Sequence, residues 1–325
     1  MRMFLFGLFV SLLALYFALK NVELSSLVDS VLSASPAWMA VILVCYMLHY
    51  WLKAIRWCDL LEPVCKVRSS EAFPVMMTGF FANNFLPAHL GELVRMYVGS
   101  KIFQVSKTEV LATIVLERIL DFTTVALMFG AALIYGGTIS HQLIYAGYVL
   151  IVLTLLAWAL LFISLRYQQS VLQFVKWMLK PLPLRIGDRI VDLLLLVFTA
   201  MSSLKSARLV TRSMVLSLLQ WVLVGLAIFS ALRAVGVEIG MDGAVVTLAA
   251  TVLAVSLPAA PGFFGTIQLA FVLALVPYGV AESDALAGSV IFHIISYLLV
   301  IVFGVIALQQ LNMRVSDLKV EVDQA

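Results

Sequence analysis

NNFLPAHLGELVRMYVGSK, residues 83–101, is the point at which an otherwise apolar chain stops being apolar. Pro87 removes a backbone donor and Gly91 adds conformational freedom, so no continuous helix is expected through LPAHLG. A few residues on, VLATIVLERILDF (residues 110–122) carries Glu117, Arg118 and Asp121 inside a hydrophobic helix. Interrupted backbone and ionised side chains are both costly in hydrocarbon, where no water satisfies them. A chain that keeps the two side by side is expected to use them, as the lining of a polar cavity within the bilayer.

The surrounding composition fits that environment. Of 325 residues, 63% are hydrophobic and 12% charged, and the mean hydropathy is +1.08. Soluble domains carry about 25% charge, so the expected class is an integral membrane protein, one domain over 1–325. No polar stretch is long enough for a separate soluble catalytic domain. A net charge of +3 makes no electrostatic case for nucleic acid. Cys45, Cys58 and Cys65 show neither CxxC nor metal-ligand spacing, so no metal or other cofactor is expected. D-x-D, P-loop, G-x-S-x-G and H-E-x-x-H patterns are absent, so the chain is not expected to be an enzyme. Arg2 and residues 3–19 resemble a signal peptide, yet no A-x-A cleavage site follows Lys20, which predicts an uncleaved first helix.

Six apolar runs approach the roughly 20 residues that span a bilayer: 3–19, 37–55, 110–135, 143–165, 213–232 and 285–308. Two more are interrupted, 72–97 at LPAHLG and 244–280 at SLPAAPGFFG, where Pro258, Pro261, Gly262 and Gly265 form the break. Each is expected to be a pair of half-helices meeting at a re-entrant loop. The fold class is therefore an all-α, polytopic helix bundle: six full crossings plus two broken hairpins, up to eight crossings if 244–280 passes through twice. With the N-terminus cytoplasmic, eighteen lysines and arginines fall inside, Lys53, Arg56 and Arg95 among them. Lys20 and Arg233 fall outside, and Arg118 alone is buried. That bias puts both termini in the cytoplasm. The polar connection 167–211, with Phe174 and Trp177 among lysines and arginines, reads either as amphipathic helices on the cytoplasmic face or as a basic orienting loop.

The two interrupted regions also repeat one another. Residues 110–122 align with ALAGSVIFHIISY (residues 285–297), placing Arg118 on His293 and Asp121 on Ser296, and a Leu-Pro break lies upstream of each. Halves of roughly 36–135 and 213–310 would then be inverted across the membrane, an architecture many transporters share. In the first break, Asn83, Asn84, His89 and Arg95 are candidates to contact a phosphate-bearing head. The alternative is that the asparagines cap exposed backbone while Glu92 and Arg95 pair at i,i+3. Glu117, Arg118 and Asp121 read equally as an ion cluster tying the helix to the broken loop, for instance through Arg95, or as a headgroup or proton site. Gln268 supplies neutral polar lining at the second break, and His293 reads first as a packing residue. Cys45, Tyr46 and His49 read as packing.

NNFLPAHLGELVRMY, LERILDF and LPAAPGFFG, in this order and spacing, resemble the transmembrane region of lysylphosphatidylglycerol synthases, a flippase-like family with stand-alone bacterial and archaeal members. The resemblance covers nearly the whole chain. It implies a multi-pass protein of the cytoplasmic (inner) membrane, and it implies Asn84, Pro87, Gly91, Glu92, Arg95, Glu117, Arg118 and Asp121 as the polar signature. In the synthases this region moves an aminoacylated phospholipid between leaflets. Two positions depart from the pattern, Gln268 where the family has Glu and His293 where it has Arg. The aminoacyl-transferase domain of the synthases lies outside these motifs, so synthesis of the lipid is not expected here. Two functions follow as expectations. One is a carrier of a phospholipid or lipid-linked headgroup, with Arg95 and Arg118 on the phosphate. The other is a non-transporting accessory to an envelope lipid, isoprenoid or glycan biosynthetic enzyme.

Overall fold

Apolar helices need a partner face for their few polar side chains and tolerate lipid on the rest. The computed structural model follows that rule. It describes residues 2–86, 90–134, 141–178, 191, 206–256, 260–315 and 317–318; Pro87, His89, Pro258 and most of the 167–211 connection lie outside them. Among the described residues all regular structure is helical: α1 (Arg2–Leu19), α2 (Leu24–Leu32), α3 (Pro36–Leu61), α4 (Ser69–Asn83), α5 (Gly91–Phe103), α6 (Lys107–Ile134), α7 (His141–Arg166), α8 (Gln168–Met178), α9 (Ala207–Ala234), α10 (Met241–Ser256), α11 (Thr266–Leu275) and α12 (Glu282–Gln310). Short 3₁₀ turns at Pro261–Phe263 and Val276–Tyr278 flank α11.

The six apolar runs are helices, and both interrupted regions are helical pairs. α3, α9, α12 and the segment Pro261–Tyr278 are each long and apolar enough to cross a membrane, with up to two more crossings from the bent pairs α1–α2 and α7–α8. α6 is 28 residues, about 42 Å at 1.5 Å per residue, and past its first turn Glu117, Arg118 and Asp121 are its only charged residues. Large side chains such as Phe9, Met47, Trp51, Leu156 and Leu298 stand exposed on the outer helix faces, the expected inversion for a body solvated by lipid. This is a polytopic membrane bundle. α2 turns 90° from α1 and α8 turns 104° from α7, and both carry exposed apolar residues, Leu24, Val28 and Leu32 on one and Phe174 and Trp177 on the other. Such helices suit the bilayer surface rather than its core.

The first hairpin closes at two glycines. A Cβ on Gly79 would meet Arg95 Cβ at 2.7 Å and the Gly91 carbonyl at 2.9 Å, while one on Gly91 would run into Gly79 and Asn83. Only hydrogen fits where α4 and α5 cross. Gly265, at φ 86, opens the second half of the other hairpin in a conformation that L side chains avoid. It sits against the backbone of Ser11, whose Oγ accepts from the Ala260 amide at 2.9 Å. The first helix thus braces the second break.

Packing between the halves is reciprocal. α3 and α9 make the most extensive helix pair in the molecule, α4 of the first half packs on α12 of the second, and α10 of the second half packs on α6 of the first. Every hairpin leans on the opposite half's long polar helix.

Candidate functional site

Helix periodicity builds the site. His49, Lys53 and Arg56 recur at i, i+4 and i+7 on one face of α3, and Ser213, Ser217 and Gln220 do the same on α9. Because α3 and α9 pack together, both polar faces meet the acidic face of α6, where Glu117 and Asp121 lie one turn apart. Lys53 Nζ lies 2.9 Å from both Glu117 Oε1 and Asp121 Oδ2. Arg56 donates to Asp121 Oδ1 and to Ser217 Oγ, each at 2.7 Å. Asp121 Oδ1 also accepts from Gln220 Nε2 at 3.1 Å and Trp221 Nε1 at 3.0 Å. His49 Nδ1 donates to the Gln220 carbonyl at 3.1 Å, which fixes its tautomer and holds α9 in register.

Arg95 brings the hairpin into the network. It grips Glu117 with two bonds, 2.7 Å to Oε2 and 3.3 Å to Oε1, the bidentate fork that guanidinium favours. Its plane stacks on Trp57 at 3.8 Å, and Trp57 is held in turn by Thr113 Oγ1 at 3.0 Å. Arg95 is fully buried, so in this conformation it locks α5 to α6 and does not reach a cavity. Arg118 differs. Its side chain is 38% exposed and pairs with Glu92 in the first turn of α5, not with Asp121.

These positions correct the charge reading of the sequence. Lys53, Arg56 and Arg95, placed there among water-facing cytoplasmic cations, are all buried and paired in the interior. A cation at the end of an apolar run reads as an orientation signal; here two buried carboxylates on α6 receive it instead. The remaining bias, fifteen against two, keeps its direction. Arg118, expected to be the lone buried cation, is the most exposed of the four.

Two cavities of about 230 Å³ each meet at Arg118. The first is walled by Tyr46, His49, Tyr50 and Lys53 of α3 and by Asn83 and Asn84 at the end of α4, with Trp221 of α9 and Ser296 and Tyr297 of α12 opposite. Glu92, Asp121 and Ser256 line the second. Asn83 does two things: Oδ1 caps the Gly91 amide at 2.8 Å, and the residue borders the cavity. Asn84 Nδ2 is buried without a hydrogen-bond partner. Sequence reasoning missed Lys53, Arg56, Ser217, Gln220 and Trp221, and read Tyr46 and His49 as packing only.

Gln268 and His293 line neither cavity. Gln268 Oε1 accepts from the Gly265 amide at 2.8 Å, its Nε2 lies 3.1 Å from His293 Nδ1, and His293 Nε2 donates to the Gly262 carbonyl at 2.8 Å. The pair clamps the second break to α12 as Glu92–Arg118 joins α5 to α6. Each break is thus joined to the long helix that follows it in sequence, by a charged clasp in the first case and a neutral one in the second.

Comparison with known families now bears on this arrangement. A family model described as the lysylphosphatidylglycerol synthase TM region matches residues 4–304. The chain belongs to that family. The matched span of this synthase-TM-region protein takes in α1 through most of α12, with both hairpins and the whole ion network inside it. A UPF0104 membrane protein of Methanocaldococcus jannaschii is 23% identical over 230 residues, covering 70% of this chain and 92% of that protein. The chain is thus a multi-pass member of a membrane-lipid-related family.

Proposed function

We propose that this chain is a lipid carrier of the cytoplasmic membrane, not an enzyme, and that its central cavity takes the head of a phospholipid or lipid-linked molecule between leaflets. One observation carries the reading. Arg118 lies eleven residues into α6, about 16 Å along a helix of about 42 Å that is longer than the roughly 30 Å core, and it is exposed to the cavity where a cation in lipid would otherwise be costly. The surrounding network carries one surplus positive charge: Lys53, Arg56, Arg95 and Arg118 against Glu92, Glu117 and Asp121. A phosphate entering beside Arg118 neutralises it. The rigid network behind the cavity supplies the preorganised wall, and the two hairpins are the elements whose tilt would open it to one leaflet or the other. Both termini are assigned to the cytoplasm from the charge bias.

The second reading, a non-transporting anchor for a biosynthetic enzyme, is favoured by the mutual saturation of Glu117 and Asp121, which reads as a static lock. Translocation of acyl-labelled phospholipid in reconstituted vesicles separates the two. Carrier function predicts movement well above empty vesicles and its loss in Arg118→Gln with the protein still folded. Movement equal to empty vesicles for all lipids supports the anchor.

A further inference from the structure

The cavity between α3, α4, α9 and α12 has a composition that discriminates among lipid heads. Among the described residues two cations, Lys53 and Arg118, line it and no carboxylate does. Glu117 lies behind the wall, covered by Arg95 and Lys53, while Asp121 and Glu92 face the adjoining cavity, where they pair with Lys53 and Arg118 and leave the network one positive charge in surplus. Beside Lys53, and largely on the same helix, stands an aromatic wall. Tyr46 and Tyr50 lie 5.8 Å apart with His49 between them, Trp221 is 6.1 Å from His49, and Phe80 is 5.8 Å from Tyr50. The remaining polar lining is neutral, Asn83, Asn84 and Ser296, and the Asn84 amide lacks a partner.

An ammonium would find ring faces here, yet Lys53 Nζ already lies 5.9 Å over the Phe80 ring, and Arg118 repels from the other side. A phosphoryl group finds the network's one surplus positive charge, presented by Lys53 and Arg118, whose carboxylate partners lie outside this cavity's lining. A neutral hydroxylated remainder, glycerol or sugar, presents C–H edges to the ring faces and oxygens to the Asn84 amide. We infer that the cavity selects a net-anionic phosphoryl lipid whose remaining head is neutral and hydroxylated, and rejects zwitterionic and cationic amine heads. This selectivity rests on the carrier reading for its use, though not for its measurement.

Binding tests it independently of transport. Short-chain phosphatidylglycerol, phosphatidylethanolamine and lysyl-phosphatidylglycerol are titrated against the detergent-solubilised protein, with tryptophan fluorescence as readout and Trp221→Phe to assign the signal to this wall. Phosphatidylglycerol is expected to bind roughly ten-fold tighter than either amine lipid. Asn84→Asp, which adds a carboxylate to the cavity lining at a residue that makes no hydrogen bond with the ion network, is expected to abolish or reverse that order. Equal affinities, or tighter binding of the amine lipids by the unaltered protein, overturn the inference even if lipids are translocated. The phosphatidylglycerol preference without translocation of any lipid upholds it and sinks the carrier reading instead.

Discussion

Glu117→Gln is the most informative perturbation of the core. The substitution keeps shape and removes one charge from a carboxylate that is 1% exposed and holds Arg95 at 2.7 Å and Lys53 at 2.9 Å. Arg95 is left fully buried with Glu92 at 4.0 Å as its nearest carboxylate, and the network's surplus rises from one positive charge to two. Removing one partner of a buried pair costs about 3–5 kcal/mol, because the other stays desolvated and uncompensated. Arg95→Gln alone is milder, since Glu117 retains Lys53. The double substitution is expected to recover about 2 kcal/mol relative to the sum of the singles, the coupling expected for groups in direct contact. Denaturant unfolding in mild detergent, followed by tryptophan fluorescence, measures all three. A loss under about 0.5 kcal/mol for Glu117→Gln, or additive singles, refutes the argument that this network holds α3, α5 and α6 together.

Other consequences are equally concrete. Arg118→Gln, at a 38% exposed side chain, should cost only about 1 kcal/mol in the same unfolding assay while removing lipid translocation. Gly79→Val, which forces a side chain into the α4–α5 crossing, should destabilise by at least about 1–3 kcal/mol, and a circular-dichroism melt matching the unaltered protein would count against the close approach. Gln268→Glu and His293→Arg should each cost about 3–5 kcal/mol singly and much less together, since the pair rebuilds in the second half the charged clasp of the first. Glu238→Cys, at a side chain 86% exposed beyond α9, should react with an impermeant maleimide added outside intact cells, whereas Val315→Cys should react only after permeabilisation.

The fold was legible because clusters of Pro and Gly inside apolar runs mark interrupted helices in lipid. LPAHLG and SLPAAPGFFG marked the hairpins, and the Arg95–Glu117 tie between break and helix was available from side-chain chemistry alone. Lys53 and Arg56 were not, because hydropathy averages along the chain and says nothing about direction around a helix. They lie just short of the end of α3, where a cation reads as water-facing. The signal that would have found them is angular: His49, Lys53 and Arg56 on one side of α3, and Ser213, Ser217 and Gln220 on one side of α9. The two cations of the α3 seam require something acidic opposite them, and Glu117 and Asp121 were the carboxylates already placed at that depth. Cavity shape was beyond the sequence, since it depends on how far apart α3, α9 and α12 stand.

The crosswise packing of α4 on α12 and α6 on α10 has a mechanical corollary. Each break is braced by a helix from the other end of the chain, so neither hairpin can shift without disturbing the other's support, and any motion at one break is felt at its counterpart.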